Sequence, residues 1–239
     1  MGATTAAVII IGDEILKGTF LDENGPYFIR RLRELGLKLG RIVVLPDEVE
    51  LIAAEVSRCA SMYDVVFTTG GVGPTHDDCT FEAIARAFDQ PLWIHPELRA
   101  ALDRWVETPD AAMLRMATIP KGAVLEHVEG LPHPTVRVAN VWIFPGVPRI
   151  LKMKFEALAP TLAGEAVTAV RVYARDHEML VAKVLAEIDA AFPDVTVGSY
   201  PRFGETEFRL IVTLEAANHS TLEPVIAKLQ HVLDVVRVD

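Results

Sequence analysis

At 239 residues, 51% of them hydrophobic, the chain is long enough for one large domain or a domain with a smaller one beside it, and core burial is not limiting. A net charge of −10, from 23 basic and 33 acidic side chains, argues against binding to a nucleic-acid backbone, and no apolar run approaches the roughly 20 residues of a membrane span. Only Cys59 and Cys79 occur and no basic leader precedes the first apolar run, so a cytoplasmic protein with reduced thiols and no structural disulfide or zinc site is expected.

Ala6 to Ile11 is an unbroken apolar run, as in a strand covered on both faces, and Asp13 and Glu14 close it where site residues gather. Pro26 suits a first helical position. Phe28, Ile29, Leu32 and Leu35 then share one face before Gly36 stops the helix, and Asn24 either caps it or meets a ligand hydroxyl or phosphate. Arg41 to Leu45 reads as a second strand. Asp47, with Glu50 three residues on, suits the N-cap of a helix carrying Val49, Ile52, Ala53 and Val56, although a capping carboxylate can also face a ligand. A strand over Val65 to Phe67 and a helix over Cys79 to Phe88 follow. Helices are expected near 96–107 and 110–117, a single strand from Val136 to Phe144, and a helix from Pro148 to Leu158. These repeated β-α-β units predict a doubly wound, mostly parallel α/β sheet over residues 1–162. Residues 163–239 read differently, as β-α-β-β-α-β: strands 166–174, 195–199, 207–215 and 235–238, with helices 177–191 and 220–233. That order predicts a small ferredoxin-like α+β domain.

The densest chemistry lies between the third strand and its helix, in Thr68-Thr69-Gly70-Gly71-Val72-Gly73-Pro74-Thr75-His76-Asp77-Asp78-Cys79-Thr80. Glycines there let the backbone approach a ligand, and the following helix start offers unpaired N–H groups to phosphate. The absence of lysine excludes a P-loop, and the glycine spacing excludes a dinucleotide fingerprint. Thr75 and Asp78 fit a capping box, which alone accounts for neither three glycines nor paired aspartates. Asp77 and Asp78 point to a bound cation or to proton transfer. His76 reads as a solvated loop residue, and the other histidines lack metal-ligand spacing.

The segment resembles the signature Thr-Gly-Gly-x-Gly-Pro-Thr-x-Asp-Asp-x-Thr of the molybdopterin-binding fold. That fold is shared by molybdenum-cofactor biosynthesis proteins, the competence/damage-inducible CinA family and the N-terminal half of eukaryotic FAD synthases. Gly12-Asp13-Glu14-Ile15-Leu16-x-Gly18, Asp22-x-Asn24, Pro46-Asp47-Glu48 and Phe144-Pro145-Gly146-Val147-Pro148 resemble further family segments in the same order, spanning about residues 6 to 158. The CinA pattern Asn-x-x-Gly-Thr-Ala-Pro-Gly is absent. The resemblance implies catalytic roles for Asp47 and Asp78, and ligand contacts from Asp13, Glu14, Asn24, Thr69, Gly70, Gly71, Gly73, Pro74, Thr75, Asp77, Thr80, Gly146 and Pro148.

The resemblance also implies a phosphorylated nucleotide or pterin ligand, with a divalent ion (Mg²⁺, Mn²⁺ or Co²⁺) assisting hydrolysis of a pyrophosphate bridge in FAD, ADP-ribose or NAD. Molybdopterin binding or adenylyl transfer, and ligand binding without turnover, are the alternatives. Residues 163–239 resemble the small middle domain of CinA. The CinA amidohydrolase domain and the sulfurtransferase-like half of FAD synthases are missing, so neither amidase activity nor FAD synthesis from FMN is expected. Family members form dimers or trimers. Trp93, Leu98, Leu102 and Trp105 suit such an interface, and a homo-oligomer is expected.

Overall fold

The computed structural model describes residues 4–131, 133–162, 164 and 167–239. The chain divides into two compact units, Met1–Gly164 and Glu165–Asp239. In the first, β1 (Thr5–Ile11), α1 (Asp13–Leu16), α2 (Asn24–Glu34), β2 (Lys38–Leu45), α3 (Val49–Met62), β3 (Val65–Thr69) and α4 (Thr80–Ala87) follow in chain order, and all but the short α1 are elements that the periodicity predicts. There follow β4 (Leu92–Ile94), α5 (Pro96–Asp103), α6 (Ala111–Arg115), β5 (Thr118–Pro120), β6 (Val124–Glu126), β7 (Thr135–Val138), β8 (Val141–Phe144) and α7 (Pro148–Leu162). Six strands form one sheet in the order β2-β1-β3-β8-β7-β6. The first four run parallel, and β7 and β6 are antiparallel additions at the edge.

Strand β1 shows why its sequence is apolar without alternation. Ala7, Ile9 and Ile11 face a core shared with Ile52, Val56 and Ile84, whereas Ala6, Val8 and Ile10 face a second core. The second core is aromatic: Phe28 stacks on Phe67 at 5.5 Å between ring centroids and meets Phe155 edge-on at 5.2 Å. Burying both faces at 0–3% exposure anchors the strand whose carboxyl end starts the candidate site.

Three expectations change. The single strand Val136 to Phe144 is a hairpin, because Ala139 turns at φ 50° and Val138 pairs back onto Val141. Asn140 secures the turn by donating to the carbonyls of Ala60 and Tyr63 at 3.0 and 2.9 Å. Apolar alternation on either side of the turn makes the two short strands look like one. The α2 helix starts at Asn24, so Pro26 sits at its third position. Asp13 and Glu14 open the short α1 helix instead of ending β1.

The second unit comprises β9 (Thr168–Ala174), α8 (Glu178–Ala191), β10 (Thr196–Pro201), β11 (Leu210–Ala216), α9 (His219–Val232) and β12 (Val235–Val238). Its antiparallel sheet has the order β10-β11-β9-β12, and both helices share one core with it, including Leu185, Ile188, Val225 and Leu229. Among the described residues, no helix is long and apolar enough to cross a membrane.

Lys154 on α7 is only 9% exposed, and it donates to the carbonyls of His133 at 2.8 Å and Pro134 at 2.6 Å. Burial pulls its ammonium down to about 8 from the usual 10.5. The unfolded chain therefore holds the proton more tightly, and stability should rise with pH between about 8 and 10.5. The penalty is fully present below 8 and is of order 3 kcal/mol. Lys154→Met should flatten that rise in urea unfolding compared with wild type. An unchanged difference between pH 7 and pH 10 would show that the ammonium is not the cause.

Candidate functional site

Because β1, β3 and β8 run parallel, Ile11, Thr69 and Phe144 end at one edge, followed by Gly12-Asp13, Gly70-Gly71 and Pro145-Gly146. The chain passes from β1 to β2 on one side and returns through α3 to β3 on the other. The strand order therefore reverses between β1 and β3, which is where open α/β sheets bind ligands. At Gly70 the backbone takes φ 104°, and a Cβ there would overlap the carbonyl oxygen of Ile11. Gly71 takes φ 62° and lies against the Thr80 hydroxyl. Thr80 is fully buried; its Oγ1 donates to the Gly70 carbonyl at 2.8 Å, and its N–H to the Gly71 carbonyl at 3.0 Å. The turn is thereby tied to the start of α4.

Asn24 joins the ends of β3 and β8. Its Nδ2 donates to Thr69 Oγ1 at 3.1 Å and to the Gly146 carbonyl at 2.7 Å, and Thr69 Oγ1 donates to the Pro145 carbonyl at 3.0 Å. Asn24 does not cap α2. Asp22 does so, its carboxylate accepting the N–H groups of Asn24 and Gly25, each at 2.9 Å. Asn24 Oδ1 is buried with no hydrogen-bond partner, an acceptor left open beneath the loops. Pro148 begins α7 at the same edge, two residues after the exposed Gly146.

Asp47 does not cap α3, whose N-cap residue is Glu48 with no side-chain bond. Since Leu45 of β2 lies beside Ile11 of β1, the Asp47 carboxylate reaches the start of α1 and accepts the Asp13 N–H at 2.8 Å through Oδ2. Its Oδ1 faces Gly71, 3.5 Å from where a side chain there would begin. Burial raises the Asp47 carboxyl above its ordinary 3.8 against the lowering effect of the Asp13 N–H, and the neighbouring charges of Glu14, Asp13 and Asp77 add to the rise. Asp13 itself is held below the usual value by Lys17, whose Nζ lies 2.5 Å away. Glu14 is exposed beside it.

Asp78 lies on the other side of the glycine turn. Its Oδ2 accepts the Thr75 N–H at 2.8 Å and the Thr75 hydroxyl, and occupies the space that a Gly73 side chain would need. These bonds close a turn and do not cap a helix, since α4 begins only at Thr80 after Cys79. Asp47 and Asp78 thus flank the turn at Gly71 and Gly73, while Pro74, Thr75 and Asp77 are exposed at its tip. Burial, then the charges of Asp47, Glu82, Asp78 and Asp77, push the Cys79 thiol up to about 11, so it is no thiolate nucleophile at neutral pH.

A cleft of about 300 Å³ opens beside the turn, lined by Gly71, Gly73, Asp78, Glu82, Arg115 and Thr118. Arg115 comes from the irregular segment between residues 90 and 132, and sequence reading did not single it out. It stands outside every motif there, and only the folded chain brings it to the Thr75 and His76 carbonyls, at 3.1 and 3.3 Å. Among the described residues, no three acidic, histidine or cysteine side chains converge as a ready-made metal cage.

The family described as "Probable molybdopterin binding domain" matches residues 7–164, and "FAD synthase, middle domain" matches residues 166–238. A "Probable FAD synthase" of Caenorhabditis elegans is 33% identical over 96% of this chain and 50% of its own length. A "CinA-like protein" of Kosmotoga olearia is 31% identical over 94% of this chain and 57% of its own. The chain thus spans about half the length of these relatives. Among solved structures, CinA of Thermoplasma acidophilum, described as of unknown function, superimposes with TM-score 0.60 at 28% identity, covering 66% of this chain and 98% of that one.

Proposed function

Because the chain belongs to the molybdopterin-binding domain family and is CinA-like in both its units, we propose that its glycine turn binds the pyrophosphate of a nucleotide such as FAD or ADP-ribose and that Asp47 directs water onto phosphorus. The observation that carries this reading is the half-buried Asp47 carboxylate, held by the Asp13 N–H through one oxygen and open toward Gly71 through the other. Backbone N–H groups of the turn and of the start of α4 suit phosphate oxygens. The water oxygen bonds to phosphorus as the bridging P–O bond breaks, and its proton passes to Asp47 Oδ1. FAD then yields AMP and FMN, and ADP-ribose yields AMP and ribose 5-phosphate. Asp13, Glu14 and Asp78 would offer hard oxygen donors to Mg²⁺, Mn²⁺ or Co²⁺, and such an ion would supply charge neutralisation.

Incubation with FAD, ADP-ribose, NAD and molybdopterin, with each of these ions, tests the reading. Release of AMP supports it. The family description favours a second reading, in which the turn binds molybdopterin or adenylylates it. Binding or adenylylation of molybdopterin with no AMP release from the dinucleotides would replace hydrolysis by that reading, and ligand binding without any product would leave a non-catalytic binder.

We further propose a homo-oligomer, dimer ahead of trimer, built on the segment around Trp93 and Trp105. Trp105 is 79% exposed, and Leu92, Trp93 and Ile94 are exposed beside one another on β4, whereas Leu98 packs into the sheet core. Light scattering at micromolar concentration should give a multiple of 26.2 kDa. A single 26.2 kDa particle would contradict it.

A further inference from the structure

We propose that Arg115 binds phosphate oxygens of the ligand across the cleft from the glycine turn, an inference that rests on the nucleotide reading above. The residue ends α6, which is capped by Asp110 Oδ1 accepting the Met113 N–H at 2.8 Å. The segment behind it is fixed: Ala117 and Ile119 are fully buried, Thr118 Oγ1 donates to the Leu114 carbonyl at 2.7 Å, and the His95 N–H donates to the Ala117 carbonyl at 2.8 Å. Arg115 is therefore carried on an anchored support.

Its guanidinium is paired unusually for a chain with ten more acidic than basic side chains. Nη1 donates to the Thr75 and His76 carbonyls, and among the described residues no carboxylate pairs with the group. A guanidinium has five N–H donors, so Nε and Nη2 keep theirs for the cleft that Arg115 lines. The carboxylates of Asp78 and Glu82 line the same cleft, and a pyrophosphate entering it would meet like charge without a cation. The planar fork of arginine matches phosphate oxygens in pairs. One side chain thus holds the tip of the turn through two carbonyls and offers its remaining donors to the anion that the turn receives.

Titration calorimetry of ADP-ribose with EDTA present, at 50 and 300 mM NaCl, tests this. Arg115→Met should weaken binding roughly 10- to 100-fold and remove most of its salt dependence, while Arg115→Lys keeps the salt dependence and much of the affinity. Were Arg115 only a fastener of the turn, Arg115→Met would lower affinity and leave the salt dependence as in wild type. That result, or unchanged affinity in Arg115→Met, overturns the assignment while leaving the nucleotide reading intact. If the wild-type protein binds neither ADP-ribose nor FAD, in EDTA or with Mg²⁺, Mn²⁺ or Co²⁺ added, the nucleotide reading fails and takes this inference with it.

Discussion

Asp47→Asn is expected to lower turnover of ADP-ribose or FAD by roughly 10²-fold or more, with little change in melting temperature. The amide keeps an oxygen able to accept the Asp13 N–H at the 2.8 Å contact that Asp47 makes, so the local fold survives. It cannot accept a proton from water. Because burial raises the Asp47 carboxyl above its ordinary 3.8, the rising limb of the wild-type rate profile should lie at a pH above that value and vanish in the variant. Asp78→Asn makes the comparison: it preserves an acceptor for the Thr75 N–H and removes a charge beside Gly73. A comparable fall there gives Asp78 a chemical role, and undiminished turnover leaves it a turn former. Full activity in Asp47→Asn would remove the basis of the proposed chemistry.

Gly70→Ala is expected to destabilise the first unit by about 4 kcal/mol or more, at the top of the range for single substitutions. Two penalties coincide. The backbone at φ 104° is one that side-chain-bearing residues rarely adopt, and the new Cβ would overlap the Ile11 carbonyl oxygen, a backbone atom in a strand buried on both faces. Neither β1 nor β3 can move aside, since Val8 is registered on Phe67 and Ile10 on Thr69. Urea unfolding measures the loss. Gly18→Ala is the control: φ is also positive there, at 68°, but nothing lies within 4 Å, so only the smaller conformational cost should appear. Equal losses at both positions would show that the contact with Ile11 contributes nothing.

Much of this was legible in the residues. The unbroken run Ala6 to Ile11 and the helical spacing after Thr80 made a parallel sheet with a glycine turn at its edge readable, because burial on two faces and a 3.6-residue period leave distinct patterns. Hydrogen bonds that join distant segments were not legible. Asp47 looked like a helix cap because its spacing to Glu50 is local information, whereas its actual donor, the Asp13 N–H, lies 34 residues away and comes near only when β1 and β2 pair. Asn24 reads as a cap or ligand contact, yet its links to Thr69 and Gly146 depend on β3 and β8 ending together. Ala139 adopts the hairpin turn without the glycine that usually announces one. Arg115 lay in the segment with the weakest periodicity, so nothing local pointed from it to the Thr75 and His76 carbonyls.

A crystal structure with ADP-ribose bound and no metal added tests the central claim most directly. The two phosphates should lie against the backbone of Gly71 to Gly73, between Asp47 and Arg115, at the carboxyl ends of β1 and β3. Phosphates found at the opposite edge of the sheet, or in the second unit with the glycine turn untouched, would contradict it.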